Sequence, residues 1–116
     1  MIVAIPIVGN DLDSQVDARF GRAAKFAIVD SEKMTLLEVI SNANVSAASG
    51  AGTQTSQMLV NRGANAVIAN SIGPNAFSIL QMAGIRIFSP GKTTTAKEAI
   101  EMFSKNELAL ISNPTR

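Results

Sequence analysis

Two short apolar runs, Ala66-Val67-Ile68-Ala69 and Ile85-Arg86-Ile87-Phe88, are separated by a helical stretch that opens at Pro74 and stops at Gly84. A strand, a helix and a strand in that order can be neighbours in one sheet as a parallel pair, joined by a right-handed crossover. A helical segment also precedes the pair: Thr55, Met58, Leu59 and Arg62 recur at helical spacing, with Gly63 placed as a cap. Another follows it, where Ala96, Ala99, Ile100 and Phe103 fall at i, i+3, i+4 and i+7. Thr95 and Glu98 stand three apart at its start, the spacing of a capping box. This alternation confines the second half of the chain to an α/β layer.

The first half supplies the rest of the sheet. Residues 2–8 form a continuous apolar run, as expected of a strand buried on both faces. Pro6 has no N–H for a central ladder, so pairing should end near it. Phe26-Ala27-Ile28-Val29 and Leu36-Leu37-Glu38-Val39-Ile40 are separated by Asp30-Ser31-Glu32-Lys33, a short connection that favours an antiparallel hairpin. The expectation is a single α/β domain over residues 1–116, with a mixed five-stranded sheet flanked by helices and a tail over 109–116.

Composition removes several functions. Ten basic and nine acidic side chains leave a net charge of +1, too little for a general nucleic-acid-binding field. The chain has neither cysteine nor histidine, so thiolate and imidazole ligands, disulfides and triad catalysis are all missing. No stretch nears the roughly 20 apolar residues that cross a membrane, and the N-terminus shows no basic leader, so a cytoplasmic location is expected. Met58 and Met102 lie in apolar helical patterns and read as core filler. Asp11, Asp13 and Asp17 share one loop, but their spacing fits no calcium motif.

The chemistry that remains is anion binding. Open α/β sheets bind ligands beyond the carboxyl ends of their parallel strands, where helix N-termini present free N–H groups. Two loops reach that position: Ser49-Gly50-Ala51-Gly52-Thr53 before the first helix, and Ser71-Ile72-Gly73-Pro74-Asn75 before the second. Glycine there lets a ligand approach the backbone, although each glycine would serve a tight turn equally well. Arg19, Arg22 and Lys25 are three cations without an intervening acid, beside Phe20, which is expected to be exposed. Gly21 could bend the chain so that both arginines meet one point as an anion clamp. Gly91-Lys92-Thr93 resembles the end of a phosphate loop, but Arg86 stands where that loop needs its first glycine. Lys92 could still add positive charge at the same end of the sheet.

The order Arg19-Phe20-Gly21-Arg22-Ala23, Gly50-Ala51-Gly52, Ile72-Gly73-Pro74-Asn75-Ala76-Phe77 and Ala83-Gly84-Ile85 resembles the dinitrogenase iron–molybdenum cofactor biosynthesis family of NifX-like proteins. The resemblance runs from Ile2 to about Leu108 and implies a ribonuclease H-like α/β layer. It also implies a non-enzymatic protein that binds or carries metal–sulfur cofactors or their precursors, together with proteins that donate or accept the cluster. Many members carry histidine where this chain has Arg19 and Ser49. That departure makes the small orange proteins of sulfate-reducing bacteria the most similar subgroup. Their anionic molybdenum–copper sulfide cluster, held without covalent ligands, is the cargo the resemblance implies, ahead of an iron–molybdenum cofactor-type cluster. The site it implies comprises Arg19, Phe20, Gly21, Arg22, Ser49, Gly50, Ala51, Gly52, Thr53, Ile72, Gly73, Pro74, Asn75 and Lys92. Two other functions fit the same residues: a binder of a phosphate-bearing small molecule, and a protein–protein adaptor without its own cofactor.

Overall fold

The structure is a computed structural model that describes residues 1–17, 19–42 and 51–114, with only the backbone at residue 51. Its elements run β1 (Ile2–Ile7), β2 (Lys25–Asp30), β3 (Thr35–Ser41), α1 (Ala51–Asn61), β4 (Ala66–Ile68), α2 (Pro74–Met82), β5 (Arg86–Phe88) and α3 (Ala96–Ser104). The strands form one five-stranded sheet in the order β3-β2-β1-β4-β5. β1 pairs antiparallel with β2 and parallel with β4, while β4 pairs parallel with β5. This is the mixed α/β sheet that the alternation of runs predicts.

Pro6 limits the central strand on one side only. It pairs opposite Phe26 in the antiparallel ladder, whereas the parallel register with β4 covers only Val3 and Ala4. The Pro6 carbonyl instead accepts from the Asp17 N–H at 2.8 Å, which folds the long β1–β2 connection back over the end of β1.

The strand period of two divides the core between two faces. Ala4, Phe26, Ile28 and Val67 lie on one face, in a buried cluster with Leu59 of α1 and Phe77 and Leu80 of α2. Val3, Ile5, Ile7, Ala27, Val29 and Ile68 lie on the other, packed with Ala96, Ala99 and Ile100 of α3. Phe20 does not stand exposed. It is 2% accessible, set edge-on to Phe26 with ring centroids 5.7 Å apart. Met58 packs against the core as expected, but Met82 is 89% exposed.

Cap chemistry ends the elements where the sequence places it. Gly63 and Gly84 adopt φ of +76° and +78° after α1 and α2, conformations that disfavour any Cβ. At α3 the Thr95 side chain accepts from the Glu98 N–H, and the Glu98 carboxylate accepts from the Thr95 N–H, completing the capping box. Residues 109–111 are not a loose tail: Ser89 N–H donates to the Ala109 carbonyl at 2.9 Å and Ile111 N–H to the Ile87 carbonyl at 2.8 Å. They extend the β5 edge by one short bridge.

Candidate functional site

Three segments meet beyond the carboxyl end of β4. Residues 20–22 follow β1, residues 52–53 lie in the first turn of α1, and residues 71–76 run from β4 into α2. They enclose an open cleft of about 380 Å³. A backbone bridge between Arg19 and Ser71 ties the first segment to the third. The structure thus brings Phe20, Gly21, Arg22, Gly52, Thr53, Ile72, Gly73, Pro74 and Asn75 around one space.

The cleft's electrostatics come mainly from backbone. α1 and α2 both begin at it, and neither has an acidic residue in its first turn. At α2, Gly73 is the N-cap residue and Pro74 follows; among the described residues no side chain caps this terminus. The contrast with α3 is direct, because its first turn is neutralised by Glu98. Among the described lining residues Arg22 is the one charged side chain, and none is acidic. Phe20 and Ile72, both buried, provide apolar surface beneath.

The remaining expected residues sit elsewhere. The Arg19 guanidinium turns to Asp17, with Nε 3.2 Å from Oδ1 and its terminal nitrogen 3.2 Å from Oδ2. Hydrogen bonding and charge attraction from Asp17 raise its pKa further above the ordinary arginine value. Arg22 lines the cleft and Arg19 does not. Lys25 bonds the Asn10 side chain. Lys92 borders a separate surface depression beside Glu98, Glu101 and Glu107, on the flank of α3. Ser49 and Gly50 lie outside the described residues, and Ala51 is the first residue of α1.

A buried polar network supports the cleft wall, and the sequence did not disclose it. The Asn42 amide donates to the Ala23 carbonyl at 2.8 Å and to the Gly21 carbonyl at 3.3 Å. Its Oδ1 accepts from the Thr55 hydroxyl at 3.3 Å. Asn42 and Thr55 are 3% and 0% exposed. The one available sequence signal is weak: Asn42 is a polar residue directly after β3, and Thr55 falls on the inner helical face. Among the described residues no group of three or more carboxylates could hold a metal ion; the Asp11 carboxylate accepts from the Asp13 N–H and the Ser14 hydroxyl instead. No described helix is long and apolar enough to cross a membrane.

Fold and cleft together define a small α/β protein with an anion-suited hollow at a helix-terminated sheet end. Residues 1–106 match the family described as dinitrogenase iron-molybdenum cofactor, and the chain belongs to that family. It is similar to the apo form of the orange protein from Desulfovibrio gigas, with 34% identity and a TM-score of 0.93 over 99% of this chain and 96% of that one. A Thermotoga protein described as NifB-like shares 40% identity at a TM-score of 0.83, covering 99% and 97% of the two chains. An uncharacterized protein of Methanocaldococcus jannaschii is 34% identical over 110 residues, 93% of this chain and 89% of its own.

Proposed function

We propose that this protein is a non-enzymatic carrier of an anionic metal–sulfide cluster, of molybdenum–copper type in preference to the iron–molybdenum cofactor type. The observation that carries this reading is the pair of helix N-termini, with no acid in either first turn, opening into a cleft floored by Phe20 and Ile72. Sulfide ligands are large, soft acceptors. They suit backbone N–H donors and a guanidinium, and their faces suit an apolar floor. A chain without cysteine or histidine holds such a cargo as a whole anion rather than by thiolate or imidazole exchange. Noncovalent retention also suits a carrier, since a donor or acceptor protein can take the cluster without breaking a metal–protein bond. A cytoplasmic setting and such donor or acceptor partners belong to the same proposal.

Reconstitution tests it. Apo-protein mixed with tetrathiomolybdate and a copper(I) source, then desalted, should retain molybdenum and copper in fixed ratio and absorb in the visible. Without tryptophan, tyrosine or cysteine the protein itself contributes only phenylalanine bands. Arg22→Ala should weaken retention by roughly 10- to 100-fold, the loss of one charge-assisted hydrogen bond. Arg19→Ala should matter less, because Arg22 lines the cleft whereas Arg19 does not and pairs with Asp17 at its side. A colourless, metal-free product overturns the cluster reading. Titration with phosphate or a nucleotide, and a pull-down, then decide between the phosphate-bearing ligand and the adaptor.

A further inference from the structure

The first turns of α1 and α2 touch at a seam of very small residues. A Cβ placed on Gly52 would lie 3.3 Å from the Ala76 Cβ, closer than methyl groups normally approach, although the backbone there is ordinary helix. One turn later, the buried Ser56 hydroxyl donates to the Gly52 carbonyl at 2.7 Å and lies 3.5 Å from the Ala76 carbonyl. The absent side chain at 52 therefore sets how closely the two helices approach where both enter the cleft. The Ser56 hydroxyl, bonded within α1, reaches the α2 backbone only through the long contact to Ala76. Gly52 and Ala76 both line that cleft, so the seam and the cleft width are one piece of geometry.

The geometry points to Gly52 and Ser56 as specificity-determining residues: they fix the separation of the two helix N-termini, and so the size of anion that both termini can contact at once. This rests on the reading of the cleft as an anion carrier's site. A methyl at position 52 must push α1 and α2 apart by a few tenths of an ångström. A mononuclear anion held between the termini would then have its hydrogen bonds to one of them stretched and weakened. A longer, bridged anion can span the wider gap.

The folded protein need not suffer. Alanine is the better helix former, so Gly52→Ala gains helix propensity while it opens the seam. Stability and selectivity are thereby separated, and a merely structural role for Gly52 would leave selectivity unmoved. The affinities of wild type, Gly52→Ala and Ser56→Ala are measured for two probes, tetrathiomolybdate alone and its copper(I)-bridged product, with thermal midpoints by far-ultraviolet circular dichroism. Weakening one helix terminus's hold on a charge changes affinity by roughly two- to fivefold. The preference for the mononuclear over the bridged anion should fall by that factor in Gly52→Ala, and in the same direction by less in Ser56→Ala, which loosens the seam without adding bulk. If wild type binds both probes and neither variant shifts their ratio, the spacing role is wrong while the carrier reading stands. If wild type binds neither probe, the carrier reading itself fails. Should Gly52→Ala not fold, the ratio in Ser56→Ala decides.

Discussion

Replacing Asn42 by alanine removes a side chain that joins the end of β3, the loop at residues 21–23 and α1, and the consequence can be worked from its bonds. The backbone bond from Asn42 N–H to the Ala24 carbonyl, 2.8 Å, survives the substitution. The 2.8 Å bond to the Ala23 carbonyl does not. Stranding a buried carbonyl costs about 1–3 kcal/mol. The two contacts at 3.3 Å, to the Gly21 carbonyl and from Thr55, are at the long end of useful geometry. Together they contribute about 1 kcal/mol more. Thr55 keeps a second acceptor in the Gly21 carbonyl at 3.4 Å, so its hydroxyl is not left alone and adds no further penalty.

The expected loss is therefore about 2–4 kcal/mol, a large part of the roughly 5–15 kcal/mol that holds an ordinary domain. Urea unfolding followed by far-ultraviolet circular dichroism measures it, since the chain lacks tryptophan and tyrosine as fluorescent reporters. The midpoint should drop with an unchanged slope, as for a native-state contact. Thr55→Val in the same background gives a double-mutant cycle, and a coupling energy of about 0.5 kcal/mol or more is expected for two side chains in direct contact. A loss below about 0.5 kcal/mol, the range of an indifferent surface change, would refute the network as the support of the cleft wall.

Two further outcomes follow from the caps. The Glu98 carboxylate accepts from the Thr94 N–H and hydroxyl and from the Thr95 N–H, which hold its pKa below the ordinary glutamate value. A lowered folded value means stability that is present above the unfolded pKa, about 4.3, and lost as pH falls through the folded one. Glu98→Gln should accordingly flatten the acid limb of a stability–pH profile, and an unchanged limb would count against the carboxylate's role. Gly63→Ala, at φ +76° after α1, should cost about 1–2 kcal/mol in urea unfolding despite the open space around that Cβ position.

What the sequence discloses and what it hides divide by range. The capping box at Thr95 and Glu98 and the glycine stops at 63 and 84 are local features, set by residues within a turn of one another, and each is found where the spacing puts it. The parallel β4–β5 pair is longer in range but is announced by the strand–helix–strand order of its runs. Phe20 is different. Its neighbours in the chain are glycine and arginine, and only the folding of the β1–β2 connection over the sheet delivers its ring to Phe26. Arg19 is engaged by an acid two residues earlier, a pairing that depends on the local bend and on no helical or strand period. The contact between Asn42 and Thr55 spans 13 positions and an intervening segment. Residues 109–111 find β5 because that strand is three residues long at an open edge, which no property of their own sequence announces.

The same division bears on how, under the proposed reading, a chain with a net charge of +1 would offer an anion site. A cluster of cations is the sign usually sought, and here the cations scatter: Arg19 turns to Asp17, Lys25 to Asn10, and Lys92 sits among glutamates. Among the described residues only Arg22 brings a cation to the cleft lining, and the rest of the positive potential would come from peptide dipoles, roughly half a charge at each helix N-terminus, concentrated where two termini converge. Such a site requires that no side chain occupy the space in front of the N–H groups. Gly73 meets that requirement at α2, where it is the N-cap and carries no side chain that could cap the turn, while Pro74 starts the helix without adding a donor of its own. A larger, capping side chain at position 73, as in Gly73→Asp, should thus damage the proposed site more than the removal of any lysine, because it would place an acid and an acceptor where the helix N–H groups are open.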